Sequence, residues 1–77
     1  MSEAAYLKVA RDIREQVSSG QLKPGDQLPS FAALCEQYDV SNTVIRAAML
    51  ILKAEGLIDG RQGKGVYIAD PLPGAPR

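Results

Sequence analysis

Asn42, Thr43, Arg46 and Lys53 are the residues whose types and spacing point most directly to chemistry. On a helix turning ~100° per residue, they fall on the side away from a stripe of Ile45, Ala48, Met49 and Leu52. Such a helix buries the stripe and offers an amide, a hydroxyl and two cations to a partner. This is the face that a recognition helix presents to the major groove of duplex DNA, its N-terminal residues nearest the bases. Ser41 precedes it, and the free N–H groups around Ser41 to Thr43 suit a phosphate. A second group, Arg61-Gln62-Gly63-Lys64-Gly65, joins two cations to two glycines. Missing side chains and positive charge both help a loop approach a sugar-phosphate backbone or a minor groove. Plainer readings stand beside these. Arg46 and Lys53 are equally compatible with a solvated helix face, and Gly63 and Gly65 serve any tight turn.

Other chemistries lack their residues. The 77-residue chain has no histidine, the commonest general base and metal ligand. Its single cysteine, Cys35, has no internal disulfide partner and no histidine to activate it. A small buried hydrophobe is its simplest role. No plausible base, nucleophile or metal cluster can be assembled, so no enzyme activity, cofactor or metal site is expected. The formal charge is zero, whereas DNA-binding domains usually carry a basic excess. The cations must therefore cluster for such a role. Arg46 and Lys53 share one face and Arg61 and Lys64 one loop, while Asp12, Glu15, Asp26, Glu36 and Asp39 lie mostly in other elements. Long-range attraction to DNA is then expected to be modest.

The elements that must position these groups follow from local signals. Tyr6, Val9, Ala10, Ile13 and Val17 make one apolar face of a first helix, roughly Ala5 to Ser19, with Gly20 as its cap. Lys23-Pro24-Gly25-Asp26 has the type II turn pattern, and Gln27-Leu28 allows only a short strand before Pro29. Ser30 is an N-cap for a second helix, Phe31 to about Tyr38, and Asp39-Val40 breaks it. Ser41 caps a third, Asn42 to Glu55, ended by Gly56. Two helices so closely spaced read as a helix-turn-helix. A hairpin follows, with one strand starting at Leu57-Ile58, the other at Val66-Tyr67-Ile68, and Arg61–Gly65 as its tip. Residues 1–69 are thus expected to form one α+β domain of three helices and a small antiparallel sheet. Residues 70–77, with three prolines and a glycine, read as a linker or disordered tail. No apolar run approaches the ~18 residues that span a bilayer, and the N-terminus is unlike a signal peptide. No membrane contact and a cytoplasmic location are expected.

From about Ala5 to Ala69 the sequence resembles the DNA-binding domain of the GntR family of bacterial transcriptional regulators. The matching pieces are Pro24–Ser30 (PGDQLPS), Val40–Met49 (VSNTVIRAAM), Glu55–Ile58 (EGLI) and Arg61–Ile68 (RQGKGVYI), in the family's order. The resemblance implies a winged helix-turn-helix that binds double-stranded DNA at a pseudo-palindromic operator to regulate transcription, as a repressor, self-associating on the DNA. It implies that the recognition helix reads the major groove and the wing tip probes the adjacent minor groove. Arg46 matches the arginine of the family's recognition helix, and Ser41 and Thr43 match positions that commonly contact phosphates. Gln62, Gly63 and Lys64 match the wing tip. Ser30, Asn42, Lys53, Arg61 and Gly65 complete the candidate DNA-contacting set.

The chain also departs from the pattern. Phe31 and Ala32 stand where the family usually has an acidic residue and an arginine, and Asn42 and Val44 where it usually has an arginine and a threonine. Family members carry a C-terminal domain that binds an effector and dimerises. That domain is expected to be absent from this chain, which is either a fragment or a stand-alone short form. The near-zero charge, the lost arginines and an apolar Leu50 outside the core stripe favour a rival, a winged-helix protein-interaction module. Retention of Arg46 and Arg61 to Gly65 disfavours it. Ile51 is expected to lie under the first helix or a strand. Leu50 is either a tolerated exposed side chain or a contact with another protein or a second copy of the chain.

Overall fold

The computed structural model describes residues 4–61, 64–70 and 72. The described elements follow in the order α1 (Ala5–Ser18), α2 (Phe31–Tyr38), α3 (Asn42–Ala54), β1 (Ile58–Arg61) and β2 (Gly65–Ile68). Periodicity and caps explain the helices. Val9, Ala10 and Ile13 bury one side of α1, with Val17 packed at its edge. Tyr6, expected on that face, is 39% exposed, one turn short of the core. Ser30 Oγ accepts from the Ala33 N–H at 3.1 Å and starts α2. Asp39 ends α2 in the left-handed region, at φ 55°. Asp tolerates that conformation better than most residues, so the turn into α3 needs no glycine. Ser41 Oγ then accepts from the Val44 N–H at 3.4 Å to start α3. At the far end the Gly56 N–H reaches Lys53 O and the Leu57 N–H reaches Leu52 O, a Schellman closure.

β1 and β2 form an antiparallel pair, Ile58 opposite Ile68 and Arg61 opposite Gly65. The expected hairpin is therefore present, shifted slightly: Leu57 precedes β1, and Arg61 and Gly65 are paired strand residues rather than tip. The expected strand at Gln27-Leu28 is a single bridge, Gln27 to Tyr67. Leu28 also donates to Val66 O at 2.8 Å and Ile68 to Asp26 O at 2.7 Å. Pro29, lacking an N–H, stops the pairing there. The Pro24-Gly25 turn closes through Asp26 N–H to Lys23 O at 2.9 Å, with Gly25 at φ 88°. That is the type II geometry expected, which needs a glycine at its third position.

All five elements meet in one core. Ile13, Ile45, Leu52, Ile68 and Val9 are its largest fully buried side chains, joined by Leu28, Leu34 and Ile58. Ile51 is half-buried and packs against it, as does Leu72 beyond the hairpin. No buried polar or charged side chain occurs among the described residues, so the core side of α3 is held by apolar burial. Its far end is also tied to α1 at the surface: Arg14 Nε and Nη2 donate to Glu55 Oε1 and Oε2 at 2.9 and 2.6 Å. The guanidinium holds the Glu55 carboxyl below its ordinary value. On the α1 side of α2, burial first and then the Asp12 carboxylate push the Tyr38 phenol up. The arrangement is a winged helix: a helix-turn-helix of α2 and α3 braced by α1, with the β1–β2 hairpin as wing.

Candidate nucleic-acid interface

The α3 stripe faces inward and so fixes what faces out. Ile45, Ala48, Met49 and Leu52 are buried, while Ser41, Asn42, Thr43, Arg46 and Lys53 are exposed. The helix carries Arg46 and Lys53 and no acidic residue. Among the described residues neither cation has a hydrogen bond or an ion pair, whereas Arg14, on α1, is taken up by Glu55. Uncompensated cations at the N-terminal half and the end of one helix face can neutralise phosphates without first breaking internal pairs. Ser30 and Ser41 both spend an oxygen lone pair on capping, and both remain exposed. A hydroxyl has a second lone pair and a donor to spare. They mark the N-termini of α2 and α3, where backbone N–H groups favour an anion.

Asn42 has a neighbour that local pattern does not reveal. The Cys35 thiol, on α2, donates to Asn42 Oδ1 at 3.3 Å. Cys35 is half-buried and packs against the core, so its expected role as a small hydrophobe is only part of its environment. The bond turns the Asn42 amide toward α2 and leaves its Nδ2 donors for another partner. Bidentate contact with a base requires the oxygen as well, so the weak S–H bond would have to yield.

The wing brings its own cations. Arg61 lies over the Tyr67 ring, its guanidinium carbon 5.0 Å from the centroid, a cation–π contact that restrains the side chain while leaving its donors in water. Lys64 is exposed, and its N–H closes the hairpin on Arg61 O at 3.0 Å. Gln62 and Gly63, also expected at the tip, lie outside the described residues. Gly65 has φ 115°, and a Cβ there would sit 2.9 Å from Gln27 Nε2. That same amide donates to Lys64 O at 2.9 Å. Gly65 is thus required by the wing's own geometry, and Gln27, which was not among the candidates, ties the wing to the loop before α2. Between wing and α3 runs an open groove of about 320 Å³ lined by apolar side chains with Arg46 and Lys53 beside them. Among the described residues no group of three or more His, Cys, Asp or Glu side chains able to hold a metal occurs, and no helix is long and apolar enough to cross a membrane.

Known proteins share this arrangement. Residues 5–68 match the family of bacterial regulatory proteins called gntR. A transcriptional regulator of Bacillus subtilis, LutR, is 44% identical over 54 residues, covering 70% of this chain and 25% of that protein. The mannosyl-D-glycerate transport/metabolism system repressor MngR of Escherichia coli is 38% identical over 65 residues, covering 84% of this chain and 27% of that protein. The chain therefore spans about a quarter of the length of these relatives. Among solved structures, the DNA-binding domain of AraR in complex with operator ORR3 superposes with a TM-score of 0.86 at 29% identity, over 90% of this chain and 83% of that one. With the family pattern running from α1 to the end of the wing, and the fold superposing on that of the AraR domain over 90% of this chain, this chain belongs to the GntR family of bacterial regulatory proteins.

Proposed function

We propose that this domain binds double-stranded DNA in a sequence-specific way to regulate transcription, as the operator-reading part of a repressor. The observation that carries the reading is the acid-free outer face of α3. There Arg46 and Lys53 stand uncompensated beside the capped N-terminus, in a fold that AraR uses in complex with its operator. In this reading α3 enters the major groove, where Asn42 and Arg46 reach base edges and Ser41, Thr43 and Lys53 position the helix on phosphates. Ser30 meets the backbone at the start of α2. Gln62, Gly63, Lys64 and Gly65, with Arg61, approach the adjacent minor groove. Two copies pair on a pseudo-palindromic site. Asn42 prefers adenine, whose N6 and N7 match an amide's acceptor and donor.

The protein-interaction module is not favoured, because the relatives are named as a regulator and a repressor and one neighbouring structure, the AraR domain, is in complex with its operator. A cytoplasmic location and the lack of catalytic activity belong to the same proposal. Its test is selection from a random duplex pool, followed by titration of the winning sequence at several salt concentrations. A symmetric site is expected. With Lys53, Arg61 and Lys64 each neutralising one phosphate, log K should fall against log salt with a slope of about −2.7 per protomer. Failure to enrich any sequence would overturn the reading.

A further inference from the structure

The groove between α3 and the wing is built from side chains that hydrogen bonding to base edges does not need. Met49 and Ile58 are its buried floor and Phe31 and Leu50 line its sides, with Arg46 and Lys53 alongside. Leu50 is 69% exposed, the most exposed large hydrophobic side chain described. It lies one turn beyond Arg46 on the same helix face, at i and i+4. Phe31 is the first residue of α2, directly after its cap. Apolar surface left in water between two unpaired cations fits a partner that is anionic and also carries apolar groups at close range. Duplex DNA does so through the 5-methyl group of thymine, the apolar feature of a major-groove edge. A protein partner would instead have to bring acidic groups to the same patch.

We infer that the Phe31–Leu50 groove is a specificity-determining contact for a thymine methyl, next to the base pair that Arg46 reads. The inference rests on the operator-binding reading. Arg46 and Lys53 bring the duplex edge to the groove, and Leu50 covers the methyl there. The contact needs no hydrogen bond, so it adds a preference for thymine at a position that polar side chains leave unread. Removing one methyl from water is worth about 0.8 kcal/mol, which is roughly a fourfold change in affinity.

The test uses the operator selected by the wild-type protein, resynthesised with deoxyuridine in place of each thymidine in turn. Uracil pairs as thymine does and lacks only the methyl. At one symmetric pair of positions the wild type is expected to lose about fourfold per half-site, while Leu50→Ser, an exposed substitution that leaves the core intact, binds the thymine and uracil duplexes equally. Uracil tolerated at every position would overturn the methyl contact while leaving operator binding standing. So would a Leu50→Ser protein that still discriminates the two. A selection that enriches no sequence would instead remove the operator-binding reading and this inference with it. Sedimentation of the DNA-free protein supplies the remaining arm: a wild-type dimer that Leu50→Ser dissociates would assign the groove to a second copy and overturn the inference.

Discussion

Gly65→Ala should weaken the domain through its wing, and the structure allows the size to be worked out. At φ 115° the backbone is in a region that side-chain-bearing residues rarely adopt, a strain of about 1–3 kcal/mol. The new methyl would also lie 2.9 Å from Gln27 Nε2. That amide is the far end of a flexible side chain, so it swings away rather than forcing the backbone. Swinging away loses its bond to Lys64 O, about 0.5–1.5 kcal/mol. Together the two give roughly 1.5–4.5 kcal/mol. For a domain of this size each kcal/mol lowers the melting temperature by about 4–8 °C, so thermal unfolding followed by circular dichroism should show a drop of at least about 6 °C. Gln27→Ala alone should cost only the hydrogen bond. The double variant should be more stable than the sum of the two losses, because both singles remove that same bond. A Gly65→Ala protein melting within a degree of the wild type, or a strictly additive cycle, would refute the coupling of the wing to the Gln27 loop.

Three further outcomes are expected. Ser30→Ala should cost about 0.5–2 kcal/mol through loss of the α2 cap, measurable by urea unfolding, and a neutral result would count against the Ala33 bond. The Arg14–Glu55 pair is exposed and screened, so Glu55→Gln should cost no more than about 1 kcal/mol at pH 7. Because the Arg14 guanidinium holds the folded Glu55 carboxyl below its unfolded value, that contribution is full above the unfolded value and lost as pH falls through the folded one. The two proteins should therefore converge in stability on acidification, and a difference that grew would contradict the pairing. Selection from random DNA with Asn42→Arg should shift one symmetric pair of positions from adenine to guanine, a discrimination of about 1–3 kcal/mol. Identical enrichment by both proteins would leave Asn42 with only its Cys35 contact.

What was legible in the sequence was what short-range physics decides. Ser30 and Ser41 ahead of periodic apolar residues located two helix starts, and Pro24-Gly25 located a type II turn, because caps and turns involve residues only a few positions apart. The outward face of α3 was readable for the same reason: its inward stripe repeats at helical spacing. Contacts between elements were not readable. Arg14 and Glu55 are 41 residues apart and Gln27 and Lys64 are 37 apart, and nothing in local pattern pairs them. Cys35 and Asn42 are only seven apart, yet their meeting depends on the angle that the left-handed Asp39 sets between α2 and α3. Tyr6 fits the α1 periodicity but overhangs the core, since period tells which side a residue takes and not how far the partner surface extends. Leu50 stood out as an apolar residue on a polar face. Its companion Phe31 did not, although an aromatic residue directly after an N-cap, in an otherwise small helix, was the available signal.

The role of α3 as the DNA-reading element is tested most directly by Arg46→Ala, titrated by fluorescence anisotropy against the operator that the wild-type protein selects. Arg46 is exposed and carries no internal bond among the described residues, so the variant should match the wild type in melting temperature. A loss of affinity of at least about tenfold, the equivalent of roughly 1.4 kcal/mol, is expected at moderate salt. Binding within twofold of the wild type, by a protein shown to be folded, would contradict it.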